Sequence, residues 1–279
     1  MRIGTALSGL LFAGMLASAS YAKAGIYTFT DLGALGGDFS VASAINNAGQ
    51  VVGRSSTATG SPFFPIHATL WDGSTTTDLG TLGGWDSRAT AINNAGQVAG
   101  NIGSRATLWN GTTMTDLGAL GGLESYADAI NDTGQVVGGF SIDREHFHAA
   151  LWNGTTMTDL GTLGGSISHA YAINNAGQVV GYALNTNGGI RATLWGDTMK
   201  TDLNSLLDAS TVSEGWVLRV ANGINDNGWI IGDAYNSQTG VEHGFLLARS
   251  VPEPKTYIMM LTGLGLLGVI TRRRKQASA

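Results

Sequence analysis

The sequence has no cysteine, only four prolines, and 13% Asp, Glu, Lys and Arg. Without cysteine there is no disulfide framework, so a folded body must draw its stability from burial and strand pairing. Few prolines and no three-residue glycine period exclude a collagen-like chain. A hydrophobic content of 43% is enough for a core and excludes wholesale disorder. Glycine is abundant instead, at 42 of 279 residues, about twice the usual share of ~7%. A chain of this length makes one large all-β domain or two ordinary domains.

The two ends read differently from the middle. Residues 1–24 have the pattern of a secretory signal peptide. Arg2 supplies a positive start, Thr5 to Ala19 is small and apolar, and Ala22-Lys23-Ala24 forms an A-x-A cleavage site. Residues 251–279 run in three parts: Val251-Pro252-Glu253-Pro254, an apolar stretch from Tyr257 to Ile270, and the basic cluster Arg272, Arg273, Arg274 and Lys275. The prolines predict an extended, protease-accessible linker. The apolar stretch spans about 21 Å as a helix at ~1.5 Å per residue. That is short of a hydrocarbon core of ~30 Å. Snorkelling of Lys255 and the arginines would make up the difference, so a short transmembrane helix with a cytoplasmic basic stop is expected.

This tail resembles the PEP-CTERM sorting signal of Gram-negative bacteria, with Pro252, Glu253 and Pro254 as its naming residues. The resemblance implies an exosortase-type sorting enzyme as partner and removal of the tail. It also implies transient anchoring in the inner membrane, then delivery to the cell envelope or extracellular matrix. Between Gly25 and Ser250 there are eight Lys and Arg against 19 Asp and Glu. A body this acidic argues against nucleic acid or anionic lipid as its partner.

Residues 25–250 are self-similar. Asp-Leu-Gly begins at Asp31, Asp78, Asp116 and Asp159, with Asp202-Leu203-Asn204 as an altered fifth copy. Ala-Ile-Asn begins at Ala44, Ala91, Ala129 and Ala172, with Gly223-Ile224-Asn225 as the fifth. Strands ending in Leu-Trp recur at Trp71, Trp109, Trp152 and Trp195. The period is the size of a four-stranded propeller blade. In the third copy the expected strands are Tyr126 to Asn131, Gln135 to Phe140, Phe147 to Trp152 and Thr156 to Leu160. Turns of the Asn-Ala-Gly type join the first two, and Asn153-Gly154 and its equivalents join the last two. The segment Gly25 to Leu32 reads as a fourth-type strand ahead of the first complete copy. The expectation is therefore an all-β, five-bladed propeller, closed by pairing that strand with the last blade. A β-solenoid or open array is the alternative.

The copies also resemble the HAF family of probable extracellular repeat proteins. The resemblance is carried by Asp159 to Gly165, Ala172 to Gly181 and the Leu-Trp strand. The naming His-Ala-Phe is degenerate here: His67-Ala68-Thr69, Arg105-Ala106-Thr107, His148-Ala149-Ala150, Arg191-Ala192-Thr193 and His243-Gly244-Phe245. This resemblance implies architecture and an extracellular address, without an established activity.

Residues shared by all copies are best explained by the fold. The tryptophans are expected between neighbouring sheets. The repeated aspartates should accept backbone hydrogen bonds where the chain leaves one blade, with calcium at a rim as the competing reading. Function should lie where copies differ, in loops on the face opposite the Asn-Gly turns. The candidate ligand face there is Phe63, Phe64, Trp85, Asp86, Glu124 and Trp216, where aromatics beside carboxylates suit exopolysaccharide. The expectation is a non-enzymatic envelope or matrix protein with no cofactor and no metal site. Two alternatives stand beside it: a glycan-active enzyme using Asp38, Asp86 and Glu124 as channel carboxylates, and a purely structural surface protein.

Overall fold

The computed structural model describes residues 29–59, 65–111, 113–196 and 199–248. The chain divides into two compact units, Met1–Asp31 and Leu32–Ala279, and every described strand lies in the second. Five sheet units follow one another along it. The first holds β1 (Ser40–Ile45), β2 (Val51–Ser56), β3 (Ile66–Asp72) and β4 (Thr75–Asp78). The second holds β5 (Ser87–Ile92), β6 (Gln97–Ile102), β7 (Arg105–Asn110) and β8 (Thr113–Asp116). The third holds β9 (Glu124–Ile130), β10 (Gln135–Ser141), β11 (Phe147–Asn153) and β12 (Thr156–Asp159). The fourth holds β13 (Gly164–Ile173), β14 (Val179–Asn185), β15 (Ile190–Trp195) and β16 (Lys200–Asp202). The fifth has three strands, β17 (Trp216–Ile224), β18 (Ile230–Asn236) and β19 (Glu242–Leu247). A short helix, α1 (Ala209–Ser213), capped by Asp208, precedes it.

Each unit is an antiparallel meander, and its turns follow from its sequence. Between β9 and β10 the chain reverses at Asn131-Asp132-Thr133-Gly134. Gly134 sits at φ +82°, open to glycine without steric cost. The buried Asn131 side chain templates the turn, its Oδ1 accepting from the N–H groups of Thr133 at 3.2 Å and Gln135 at 2.9 Å. Asn93 and Asn174 do the same in their units. Two residues after each turn glycine, the second strand begins its Val-Val-Gly or equivalent. There the first strand carries a bulge, in the third unit between Ala127 and Ala129 opposite Val137 and Gly138. The bulge drives the Tyr126 carbonyl against Gly138, where a Cβ would overlap it, and the same holds at Gly53, Gly100, Gly181 and Gly232.

Stacking of neighbouring units makes the core. Four apolar clusters lie one at each junction. The second, for example, joins Ala99, Ala106 and Leu117 of the second unit to Ala127, Val136, Phe140, Ala150 and Trp152 of the third. Trp109, Trp152 and Trp195 are all buried in such clusters, as their recurrence predicts. The first strand of each later unit lies across strands of the unit before it, and in the second, third and fourth units a serine there takes part in the joint. Ser87, Ser125 and Ser168 accept from the N–H groups of Ala68, Ala106 and Ala149 at 2.8 to 3.0 Å.

The expected closed five-bladed propeller is not what forms. The units make four separate sheets, none closed. The third and fourth units join through one parallel pair, Phe147 with Ile167. No strand completes the fifth unit among the described residues. Of the expected closing strand, residues 25–28 lie outside the described residues, and 29–32 are not in a strand. The physical reason is that the sequence period specifies a unit and its contact with its neighbour. The rotation per junction, which decides whether five units complete a turn, is a separate quantity. The expected transmembrane helix falls in residues 251–279, outside the described residues. Among those described, no helix is long and apolar enough to cross a membrane.

Candidate functional site

The sheet units have two unlike ends. At the Asn-turn end the five copies converge on one pocket of about 350 Å³, lined by Ile45-Asn46-Asn47 and its four equivalents through Ile224-Asn225-Asp226. Here the asparagines form a ladder. Asn46 Nδ2 donates to the Asn93 carbonyl at 3.1 Å, Asn93 to Asn131 at 3.0 Å, Asn131 to Asn174 at 3.1 Å and Asn174 to Asn225 at 3.0 Å. A second rail runs beside it. The N–H groups of Asn47, Asn94, Asp132 and Asn175 donate to the side chains of Asn94, Asp132, Asn175 and Asp226 at 2.8 to 3.0 Å. Donation from the Asn94 backbone and side chain holds the Asp132 carboxyl below the usual carboxylate range. These groups satisfy one another, so the turn end is a joint more than a receptor.

At the loop end the first three units hand over to the next through Asp-Leu-Gly, and the fourth through Asp202-Leu203-Asn204 and α1. Asp78, Asp116, Asp159 and Asp202 each accept a backbone N–H two residues on, at 2.7 to 2.9 Å, as their position predicts. Their second oxygens meet a histidine or an arginine eleven residues back. His67 and His148 reach Asp78 and Asp159 at 2.8 Å, Arg105 contacts Asp116, and Arg191 stands 3.6 Å from Asp202. The degenerate histidine position is thus always His or Arg in the first four units because its partner is an aspartate across the strand pair. That fixed spacing is legible in the sequence and went unused.

Between the first and second units the hand-over turn is strained. Leu82 and Gly83 have φ of +49° and +81°, and the Gly84 N–H donates to the Thr81 carbonyl at 2.7 Å. A left-handed leucine costs on the order of 1 kcal/mol. The turn opens into a cleft of about 520 Å³ lined by Leu82, Trp85, Asp86, Ser104, Arg105, Asp116 and Leu123. Trp85 is 68% exposed, and Leu82 and Leu123 are exposed beside it. One Asp86 oxygen accepts from the Ile66 N–H at 3.1 Å.

The structure therefore brings together part of the expected ligand face. Trp85 and Asp86 share the cleft. Glu124 sits at its margin, accepting from the Tyr126 hydroxyl at 2.9 Å, while that hydroxyl also reaches Ser104 of the cleft. Trp216 lies apart, packed at 5.3 Å on the His243 ring beside a separate pocket of about 410 Å³. Phe63 and Phe64 lie outside the described residues, as do the signal site Ala22 and Ala24 and the whole tail, Pro252, Glu253, Pro254, Arg272, Arg273, Arg274 and Lys275. Among the described residues no cluster of His, Asp and Glu has metal-binding geometry.

One grouping escaped the sequence reading. His169 Nε2 lies 2.7 Å from Asp128 across the junction of the third and fourth units. Phe147 stacks on the His169 ring at 5.3 Å and 2°, with Tyr171 at 4.8 Å and Tyr182 beyond it. Gly139 leaves the space for Phe147 and His169. Asp128 and Tyr171 occupy the bulge position, which is Ser43, Thr90 and Asn222 in the other units. That one variable letter inside the Ala-x-Ala-Ile-Asn pattern was the available signal.

Comparison with known proteins supplies the address. Residues 250–275 match the PEP-CTERM protein-sorting motif. The motif marks an exported protein recognised by an exosortase-type enzyme and directed to the cell envelope or extracellular space of a Gram-negative bacterium. No curated protein matches the chain.

Proposed function

We propose that the exported body is a non-enzymatic surface or matrix protein of the HAF-repeat type that holds an envelope polysaccharide in the Trp85 cleft. The carrying observation is an indole two-thirds exposed on a strained turn, with Asp86, Arg105, Asp116 and Ser104 around one cleft of about 520 Å³. An exposed indole offers its face to the C–H side of a sugar ring, and the polar groups match hydroxyls. The non-enzymatic reading is supported by what the carboxylates already do. Asp86 is tied to the Ile66 N–H and Glu124 to the Tyr126 hydroxyl, so both carboxylates already serve the fold. In this reading the tail anchors the chain transiently in the inner membrane before the sorting enzyme removes it.

The test is retention of native exopolysaccharide by the mature protein and its Trp85→Ala form. Retention should fall at least tenfold, while the urea midpoint moves little because the side chain is exposed. Undiminished retention by Trp85→Ala would remove the cleft from the account. Polysaccharide cleavage by the parent would establish the enzyme instead.

A further inference from the structure

Beside the Trp85 cleft, between the first and second units, lies a pocket of about 290 Å³ lined by Arg54, Ile66, Asp86, Arg88 and Asn101. Asp86 and Gly103 line both spaces, so the two meet there. The arginines are not what the repeat requires. Arg54 pairs with Ala68, and at the matching register the later units carry Asn101, Gly139, Tyr182 and Asp233. Arg88 pairs with Asn101, and its counterparts are Val41, Tyr126, His169 and Val220. In the second unit this register serves the joint. Asn101 Oδ1 accepts from the Ala127 N–H at 2.8 Å, and its Nδ2 donates to the Ala127 carbonyl at 3.3 Å. Arg54 makes no such bond to the equivalent Ala89.

Charge is the stronger sign. Arg105, Arg191 and Arg219 each meet a carboxylate. Among the described residues, the side chains of Arg54 and Arg88 meet none and donate no hydrogen bond. Arg54 is half-buried, with its Cζ 5.9 Å from the centre of the Phe39 ring, and its Nε is sealed from solvent without an acceptor. A guanidinium drawn partly out of water without an anion is a cost that an anionic ligand offsets. Asp86, the carboxylate on the same pocket, accepts from the Ile66 N–H at 3.1 Å. The body holds eight Lys and Arg against 19 Asp and Glu, so two unpaired guanidinium groups on one pocket run against its composition.

We infer that the polysaccharide held at the Trp85 cleft is acidic, with one sugar carboxylate bound by Arg54 and Arg88 while a neighbouring ring lies on the indole. This rests on the polysaccharide reading of that cleft and names the class of sugar. A planar carboxylate matches the fork of a guanidinium, which takes both of its oxygens at once. Two arginines against one aspartate leave the pocket locally positive. The acidic remainder of the body repels a polyanion, so attraction is confined to this point and fixes which stretch of sugar lies on Trp85.

The test uses the mature protein from its exporting host and native exopolysaccharide in two forms, untreated and with its carboxyl groups reduced to alcohols. Arg88→Gln changes an exposed side chain, and Arg54→Asn installs the residue that the second unit carries at that register. Both should therefore fold as the parent does, which their urea midpoints check. The parent should retain the untreated polymer about tenfold better than the reduced one, the scale of one bidentate charge-assisted pair. Each arginine variant should lose that preference and hold both forms as the parent holds the reduced one. Equal retention of the two forms by the parent, or an unchanged preference in both arginine variants, would overturn the inference. Trp85→Ala separates it from the reading beneath it. If Trp85→Ala releases both forms and the parent shows no preference, the cleft stands and the acidic sugar falls. If Trp85→Ala retains both forms undiminished and the arginine variants lose the preference, the arginine pocket stands and the indole falls.

Discussion

The turn end and the loop end of each sheet unit carry the same strands yet spend their polar groups differently. At the turn end the side chains of Asn46, Asn93, Asn131 and Asn174 each bond their own turn and the next unit's backbone, so one residue type serves folding and stacking together. At the loop end the constant aspartates bond locally, two residues on and eleven back, and leave the cleft walls free to differ. Where a side chain must satisfy two neighbours at once, its identity is fixed. Where it satisfies only its own unit, the surrounding loop is released for recognition.

That contrast has a measurable size. Asn131→Ala should be the most damaging of three substitutions. It strips acceptors from the Thr133 and Gln135 N–H groups and a donor from the Asn174 carbonyl, in a buried position. Orphaned buried groups cost ~1–3 kcal/mol each, and with partial rescue by water a loss of about 3 kcal/mol is expected from urea unfolding. Asp159→Ala, at the loop end, removes the acceptor for the Gly161 N–H and the partner of His148. Both are near solvent, and the expected loss is about 1 kcal/mol. Equal losses for the two would break the comparison, since the turn end would then be no more of a joint than the loop end.

Much of this was legible before any coordinates. The third unit's strands were expected at Tyr126 to Asn131, Gln135 to Phe140, Phe147 to Trp152 and Thr156 to Leu160, and β9 to β12 fall within two residues of each boundary. Local chemistry explains the success: Asn-x-x-Gly and Asn-Gly turns with positive-φ glycines bound the strands. Closure was not legible, because it depends on the rotation accumulated over four junctions and on no single residue pattern. The cleft was half legible. Trp85 and Asp86 stood out by composition, but Arg105 and Ser104 reach it only through pairing of β6 with β7, and the strained Leu82 gives no sign in the one-letter code. Asp128 and His169 were missed because the two are 41 residues apart and meet only when one unit's bulge faces the next.

The finest test of the comparison uses acid. Asp132 is the one carboxylate in the rail that accepts from Asn94 twice, from its N–H at 2.9 Å and its Nδ2 at 3.0 Å, and its pKa lies below the ordinary 3.8. A depressed folded pKa contributes stability above the unfolded value, which is lost as pH falls through the folded one. The effect is small because the group is open to solvent. Asp132→Asn places there the residue that the first, second and fourth units already use, Asn47, Asn94 and Asn175, so the fold should be retained. Above pH 5 the two proteins should unfold at nearly the same urea concentration. Below about pH 4 the parent should lose ground relative to the variant, and parallel pH profiles would mean that the rail's charge contributes nothing to joining the units.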